Sequence, residues 1–157
     1  MKIKENELEE LLEAHLQKAD KVNIYAPRVK ANMVNGVPVF KATWSWWAFL
    51  GGWAFFVYRK MYLVAVAFLV ASIVGGVFPL LMVLVFIISG VSGFYFYTKK
   101  FSTDLAIAGY GEKPLNEVKE SLKNLGGYNS WIIWVVVVLN ILLVIAIYYL
   151  ATVTSFL

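Results

Sequence analysis

Apolar residues at Ile3, Leu8, Leu11, Leu12, Leu16, Ala19 and Val22 recur at close to helical spacing and predict an amphipathic helix over 3–22. Its acids come first (Glu5, Glu7, Glu9, Glu10, Glu13) and Lys18 and Lys21 follow, the order that suits the helix dipole. Tyr25-Ala26-Pro27 is expected to end it. Across 28–43 the pattern changes: Val29, Val34, Val37, Val39 and Phe40 flank Asn35-Gly36, a pair that accepts the left-handed dihedrals of a tight turn. A short hairpin or extended linker is expected there, with Pro38 confining any strand to an edge. Further on, Leu115, Val118, Leu122 and Leu125 form the stripe of a second short amphipathic helix, with Pro114 before it and Gly126-Gly127 after it. It is expected to lie on the membrane face or against the N-terminal helix.

Between these polar segments run three stretches without a charge. The first, 43–58, is crowded with aromatics: Trp44, Trp46, Trp47, Phe49, Trp53, Phe55, Phe56 and Tyr58. As a helix its 16 residues reach roughly 24 Å, against a hydrocarbon core of about 30 Å. It is therefore predicted to be interfacial or re-entrant, with Gly51-Gly52 permitting a bend. The second, 61–97, is too long for one crossing and fits a two-span hairpin, 61–78 and 79–97, broken at Gly75-Gly76-Val77-Phe78-Pro79. The third, 128–157, supplies a span over 131–150, with Trp131 and Trp134 at one interface and Tyr148 and Tyr149 at the other.

Composition strengthens the membrane reading. The chain is 61% hydrophobic and only 15% charged, with a mean hydropathy of +0.70; soluble domains carry about 25% charged residues. Too few polar groups exist to cover a globule of this size. The first 20 residues have no apolar core, so no cleaved signal is expected there. Arg59-Lys60 and Lys99-Lys100 bracket the hairpin, which places both pairs, and with them the 14 basic and 10 acidic side chains, on the cytoplasmic side. The expected architecture is an all-α membrane protein with three transmembrane helices. A cytoplasmic helix and linker (1–43) precede a membrane domain (44–157), whose 101–127 loop carries the second amphipathic helix.

The run Trp47-Ala48-Phe49-Leu50, then Gly52, then Tyr58-Arg59-Lys60-Met61-Tyr62, resembles the small bacterial membrane proteins grouped as domain of unknown function 2628. Leu122, Leu125 and Gly126-Gly127 are similar to that family's amphipathic stretch ending in paired glycines. The match covers about 80 residues and is strong over 44–62. Trp53 stands where the family often has proline, and the N-terminal helix has no counterpart. The resemblance implies the bacterial inner membrane and implies no chemistry.

Absent chemistry narrows the function. The chain has no cysteine and one histidine, His15, expected to be a packed or surface helix position and unable to form a metal site alone. No Asp, Glu, His, Lys or Arg falls within 61–97 or 131–157, which argues against proton or ion pathways. No acid, base or nucleophile motif points to an enzyme, no cofactor is implied, and no nucleic-acid surface is present. The leading expectation is a non-enzymatic accessory or assembly subunit of a larger membrane complex, with a membrane-protein partner or a second copy. The alternative is an anionic-lipid-binding or membrane-organising protein using Arg59, Lys60, Lys99 and Lys100 as headgroup or partner contacts. A lesser one is an oligomeric passive channel lined by Ser72, Ser89, Ser92 and Asn140. Interface anchoring falls to Trp44, Trp46, Trp47, Trp53, Trp131 and Trp134. The small residues Ala67, Ala71 and Gly75 are expected to pack on Ser89 and Gly93, while Asn140 seeks a partner within the bundle or in its own copy.

Overall fold

The computed structural model describes residues 3–155 and is helical apart from one small hairpin. The N-terminal helix is shorter than its periodicity suggested. Helix α1, Glu5–Leu16, ends where Gln17 turns left-handed at φ 54° and donates its N–H to Glu13 O at 2.9 Å. A single 3₁₀ turn, Ala19–Lys21, leads into α2, Val22–Ala31. Pro27 therefore lies inside a helix rather than ending one. It sits on the exposed face, while Tyr25, Ala26 and Val29 are buried on the other. Burying three such side chains, at about 1.5–3 kcal/mol for each large one, outweighs a proline penalty of about 3 kcal/mol.

Strands β1 (Met33–Val34) and β2 (Val37–Pro38) pair antiparallel about Asn35 and Gly36, whose φ values of 51° and 78° are those the turn requires. The aromatic segment forms no single helix. It folds back as two helices, α3 (Trp46–Gly51) and α4 (Trp53–Tyr58), hinged at Gly52 with φ 48° and ψ −129°. Ser45 caps α3 by accepting from Ala48 N–H at 3.2 Å. At the far end Met61 N–H reaches back to Phe56 O at 2.7 Å and Lys60 is left-handed, so α4 closes on a Schellman turn.

Two long helices and one short apolar one follow: α5 (Tyr62–Gly75), α6 (Pro79–Ile107) and, after α7 (Leu115–Leu125), α8 (Trp131–Ser155). The 61–97 run is thus divided unequally. At 14 residues α5 reaches about 21 Å, short of a bilayer. Helix α6 carries straight on past Tyr97 through Lys99-Lys100, because Phe94, Tyr97, Phe101 and Leu105 keep one continuous buried face. Among the described residues α6 is the one helix long and apolar enough to cross a membrane, and the apolar stretch Trp131–Ala146 of α8 falls below that length. Three crossings were expected from the sequence; one helix of sufficient length is found. The C-terminus expected beyond the far interface, 156–157, lies outside the described residues.

Helix α6 is the axis. Its apolar half packs on α3 and α5, and its polar half on α2 and α7, while α1 fills the space against α7 and α2. Leu11, Leu12 and Leu16 of α1 meet Val118 and Leu122 of α7 in one fully buried core. Helix α7 therefore takes the second of its two expected positions, against the N-terminal helix. Helix α8 touches the body chiefly through α4, with Ile132 buried and Ile133, Trp134, Val138, Ile141 and Val144 all exposed.

Candidate functional site

Tyr97, Lys100, Phe101 and Asp104 stand three or four residues apart and so share one face of α6. His15 lies against that face, only 2% exposed, because it occupies the Leu8–Leu11–Leu12 side of α1. Its Nε2 is 2.8 Å from Asp104 Oδ2, and its Nδ1 is 2.8 Å from the Tyr97 hydroxyl. Lys100 Nζ donates to Asp104 Oδ2 at 2.5 Å and holds it as a carboxylate. A carboxylate only accepts, so His15 donates from Nε2; burial disfavours a charged ring, which leaves Nδ1 to accept from the Tyr97 hydroxyl in the neutral form. Burial depresses the His15 pKa and outweighs the pull of Asp104, with Lys100 and Arg59 adding to the depression. The His15 backbone is also engaged. Gly127 N–H donates to its carbonyl at 2.7 Å, and any side chain at Gly126 would collide with that same oxygen.

The two basic pairs meet at this end of the molecule. Lys60 Nζ donates to Gly126 O at 2.5 Å and Lys100 Nζ to Leu125 O at 3.2 Å, so both serve the open carbonyls of α7. Lys99 is exposed. Arg59 behaves differently from all three. It was expected to snorkel to the headgroups or to meet a partner; instead it is 4% exposed beneath the rings of Tyr25, Tyr58 and Tyr97, whose centroids lie 4.9, 5.4 and 5.9 Å from its Cζ. Its Nε and Nη1 are buried with no hydrogen-bond partner, and no ion pair includes it among the described residues. Ring faces attract a guanidinium by about 0.5–2 kcal/mol. The Tyr25 hydroxyl also accepts from the guanidinium, but among the described residues no carboxylate balances the charge, and a buried charge without a counter-ion costs several kcal/mol.

Arg59 lines a cleft of about 460 Å³ between α2, the α3–α4 hairpin and α8. Lys18 and Lys21 line it as well, the latter paired with Asp20 at 2.9 Å. The rest of the wall is mostly apolar: Trp47, Ala54 and Phe55 on one side, Val136 and Val137 on the other. No carboxylate lines it. Asn129 fixes the mouth, its N–H on Tyr58 O at 2.8 Å and its amide nitrogen on Tyr62 Oη at 2.8 Å, so α8 begins beside the end of α4.

The remaining predicted residues separate by environment. Trp44, Trp46, Trp47, Trp131 and Trp134 are exposed, while Trp53 is half-buried against the core. Gly75 lets α5 approach the Met82 backbone rather than Ser89 or Gly93, and Ala67 is exposed. Ser89 and Gly93 do not face α5. They face α3: Ser89 Oγ donates to Ala48 O at 2.7 Å, and a Cβ on Gly93 would lie 2.6 Å from Ala48 Cβ. The aromatic hairpin, absent from a two-helix picture, has the larger claim on that small face. Asn140 is exposed, and its amide donates to Val136 O of its own helix at 2.8 Å, where a partner in the bundle or in a second copy was expected. Ser72 and Ser92 likewise donate to the carbonyls of Phe68 and Ile88, each four residues earlier in its own helix.

Two signals for the buried groups were present in the sequence: His15 stands on the apolar face of its helix, and Arg59 follows Phe55-Phe56-Val57-Tyr58 without a break. Among the described residues no group of three or more histidine, cysteine or acidic side chains is placed to hold a metal. No family model, curated protein or solved structure matches this chain.

Proposed function

We propose that this protein is a non-enzymatic membrane protein that binds an anionic lipid in the cleft at Arg59. One observation carries the reading: Arg59, its Nε and Nη1 buried without a hydrogen-bond partner, lines a cleft that holds two further cations, no carboxylate and otherwise mostly apolar side chains. Such an arrangement is unfavourable when empty and is relieved by an anion attached to an apolar body, since charge-assisted hydrogen bonds are about twice as strong as neutral ones. In this reading α6 crosses the bilayer. Helices α5 and α8 enter it alongside, and the body of α1, α2 and α7 lies at the cytoplasmic face of a bacterial inner membrane. The resemblance to domain of unknown function 2628 agrees with that placement. The exposed apolar faces of α8 favour a second reading, an accessory subunit that docks on a larger complex through this helix. A gently solubilised protein that runs only as a lone monomer counts against that second reading.

The lipid reading is tested by native mass spectrometry of protein extracted from membranes containing anionic lipid. Wild type and the exposed-site control Lys99→Gln are expected to retain bound anionic lipid, and Arg59→Met to retain at least tenfold less. Lipid-free Arg59→Met is expected to unfold at a temperature equal to or above wild type, because an apolar isostere of a buried charge is neutral or stabilising by about 1–4 kcal/mol. Equal lipid retention by Arg59→Met overturns the reading, and a destabilised lipid-free variant makes Arg59 a structural cation instead.

A further inference from the structure

Resting on the reading that α6 crosses the bilayer, and apart from the lipid held in the cleft, we infer that Arg28, Lys41 and Lys99 form a collar on the headgroups of an anionic leaflet. The sequence offered Arg59, Lys60, Lys99 and Lys100 for such contacts, but three of these four are occupied inside the molecule. Arg59 is buried, and Lys60 and Lys100 serve the carbonyls of α7. Headgroup contact then falls to cations that reach the surface without a carboxylate. Lys41 and Lys99 are exposed, Arg28 is half-buried, and none of the three joins an ion pair among the described residues. Their neighbours in sequence are already engaged: Lys21 with Asp20 at 2.9 Å, Lys30 with Glu5 at 2.7 Å, and Lys18 over the Tyr128 ring.

Helix α6 sets their height. Lys99 stands about 30 Å along it from Pro79, one hydrocarbon thickness. The Cζ of Arg28 lies 5.0 Å from the ring centroid of Phe94, and Lys41 follows Phe40, whose ring packs on Tyr95 at 5.5 Å. Both are thus tied to α6 about one turn below Lys99, where long cationic side chains lay their stems on apolar surface and extend to the phosphates. Such surface is present on the same segments, where Pro27, Val39, Phe40 and Trp44 are exposed. The acids lie on the other side of Lys99. Helix α1 runs from His15, against Asp104, to Glu7, which accepts from the Tyr110 hydroxyl at 2.6 Å, and the acidic α7 packs beside it. Along α6 a leaflet therefore meets unpaired cations first and carboxylates last, an order of charge that fits anionic headgroups.

The experiment uses the full-length chain, which has no cysteine, with a bimane fluorophore on Val39→Cys, a position 41% exposed and two residues from Lys41. The labelled protein is reconstituted in vesicles of three parts phosphatidylcholine to one part phosphatidylglycerol. Quenching is compared for traces of either lipid carrying a nitroxide on its acyl chain next to the headgroup. The labelled parent is expected to be quenched about twice as strongly by the phosphatidylglycerol probe, and the preference to decline at about 0.5 M salt. It is expected to vanish in Arg28→Gln/Lys41→Gln/Lys99→Gln and to fall partway in Lys41→Gln/Lys99→Gln, whose side chains are exposed. Lys113→Gln/Lys123→Gln, exposed near the two ends of α7, and Arg59→Met are expected to keep it. Equal quenching of the parent by the two probes, or an unchanged preference in the triple variant, overturns the collar. A preference lost in Arg59→Met and kept in the triple variant also overturns it, and leaves the cleft reading standing. If instead the triple variant loses the preference while Arg59→Met retains lipid equally in the mass spectrometer, the collar stands and the cleft reading falls.

Discussion

His15 and Arg59 are buried in the same aromatic layer but differ in how their charge is met. His15 avoids charge, donating to Asp104 and accepting from Tyr97 as a neutral ring. Its pKa is depressed from an ordinary value of 6.5, chiefly by burial. The unfolded chain therefore binds a proton on this ring at a higher pH than the folded one does. Its contribution to stability is complete above pH 6.5 and declines as pH falls below that value toward the lower folded pKa. Unfolding midpoints measured from pH 7.5 to 5 are expected to drop for wild type and to drop less for His15→Gln, whose amide can still donate to Asp104 and accept from Tyr97. Parallel profiles for the two proteins would remove His15 as the titrating group. Arg59 has no such escape, since a guanidinium stays charged at any accessible pH.

At the scale of elements, the decisive contact is the seat of α3 on α6. Gly90 and Gly93 open that face, and Phe49, Trp44 and Ala48 fill it; a Cβ at Gly90 would come within 2.9 Å of Phe49 Cβ. Gly93→Ala is expected to lower stability by about 1–3 kcal/mol through overpacking. Ala48→Gly is expected to restore part of the loss in the double variant, because the two methyl groups would compete for one space. Chemical or thermal unfolding of the four proteins in one detergent measures this. Additive effects would mean that the small residues of α6 serve some other neighbour. The same seat explains why 43–58 is not one straight helix: its glycine hinge folds it back, and α6 supplies a groove shaped to receive it.

For the whole molecule, the polar groups converge because α7 ends where the two basic pairs begin. Lys60 and Lys100 share its last carbonyls, so the start of α5 and the polar part of α6 lie at one level, with the 76–78 turn at the other end of the hairpin. With α6 across the bilayer, Lys99→Cys is expected to react with a membrane-impermeant maleimide from one face and Val77→Cys, 72% exposed at the turn, from the opposite face. Labelling of both from the same side in sealed vesicles would place the hairpin on the membrane rather than through it.

Local pattern by itself determined the amphipathic faces of α1 and α7, the turn at Asn35-Gly36 and the bend in the aromatic segment. Each follows from residues within a few positions of one another, where periodicity and turn chemistry are legible. Only the tertiary structure decided which faces meet. That Ser89 and Gly93 receive Ala48 rather than α5, that α6 runs on past Tyr97, that His15 finds Asp104 nearly ninety residues away, and that Arg59 points under three tyrosine rings instead of out to the headgroups are outcomes of competition for burial among distant segments. A sequence pattern states that a face is apolar or small. It does not state which of several apolar surfaces will cover that face, because that choice depends on the packing of the whole chain at once.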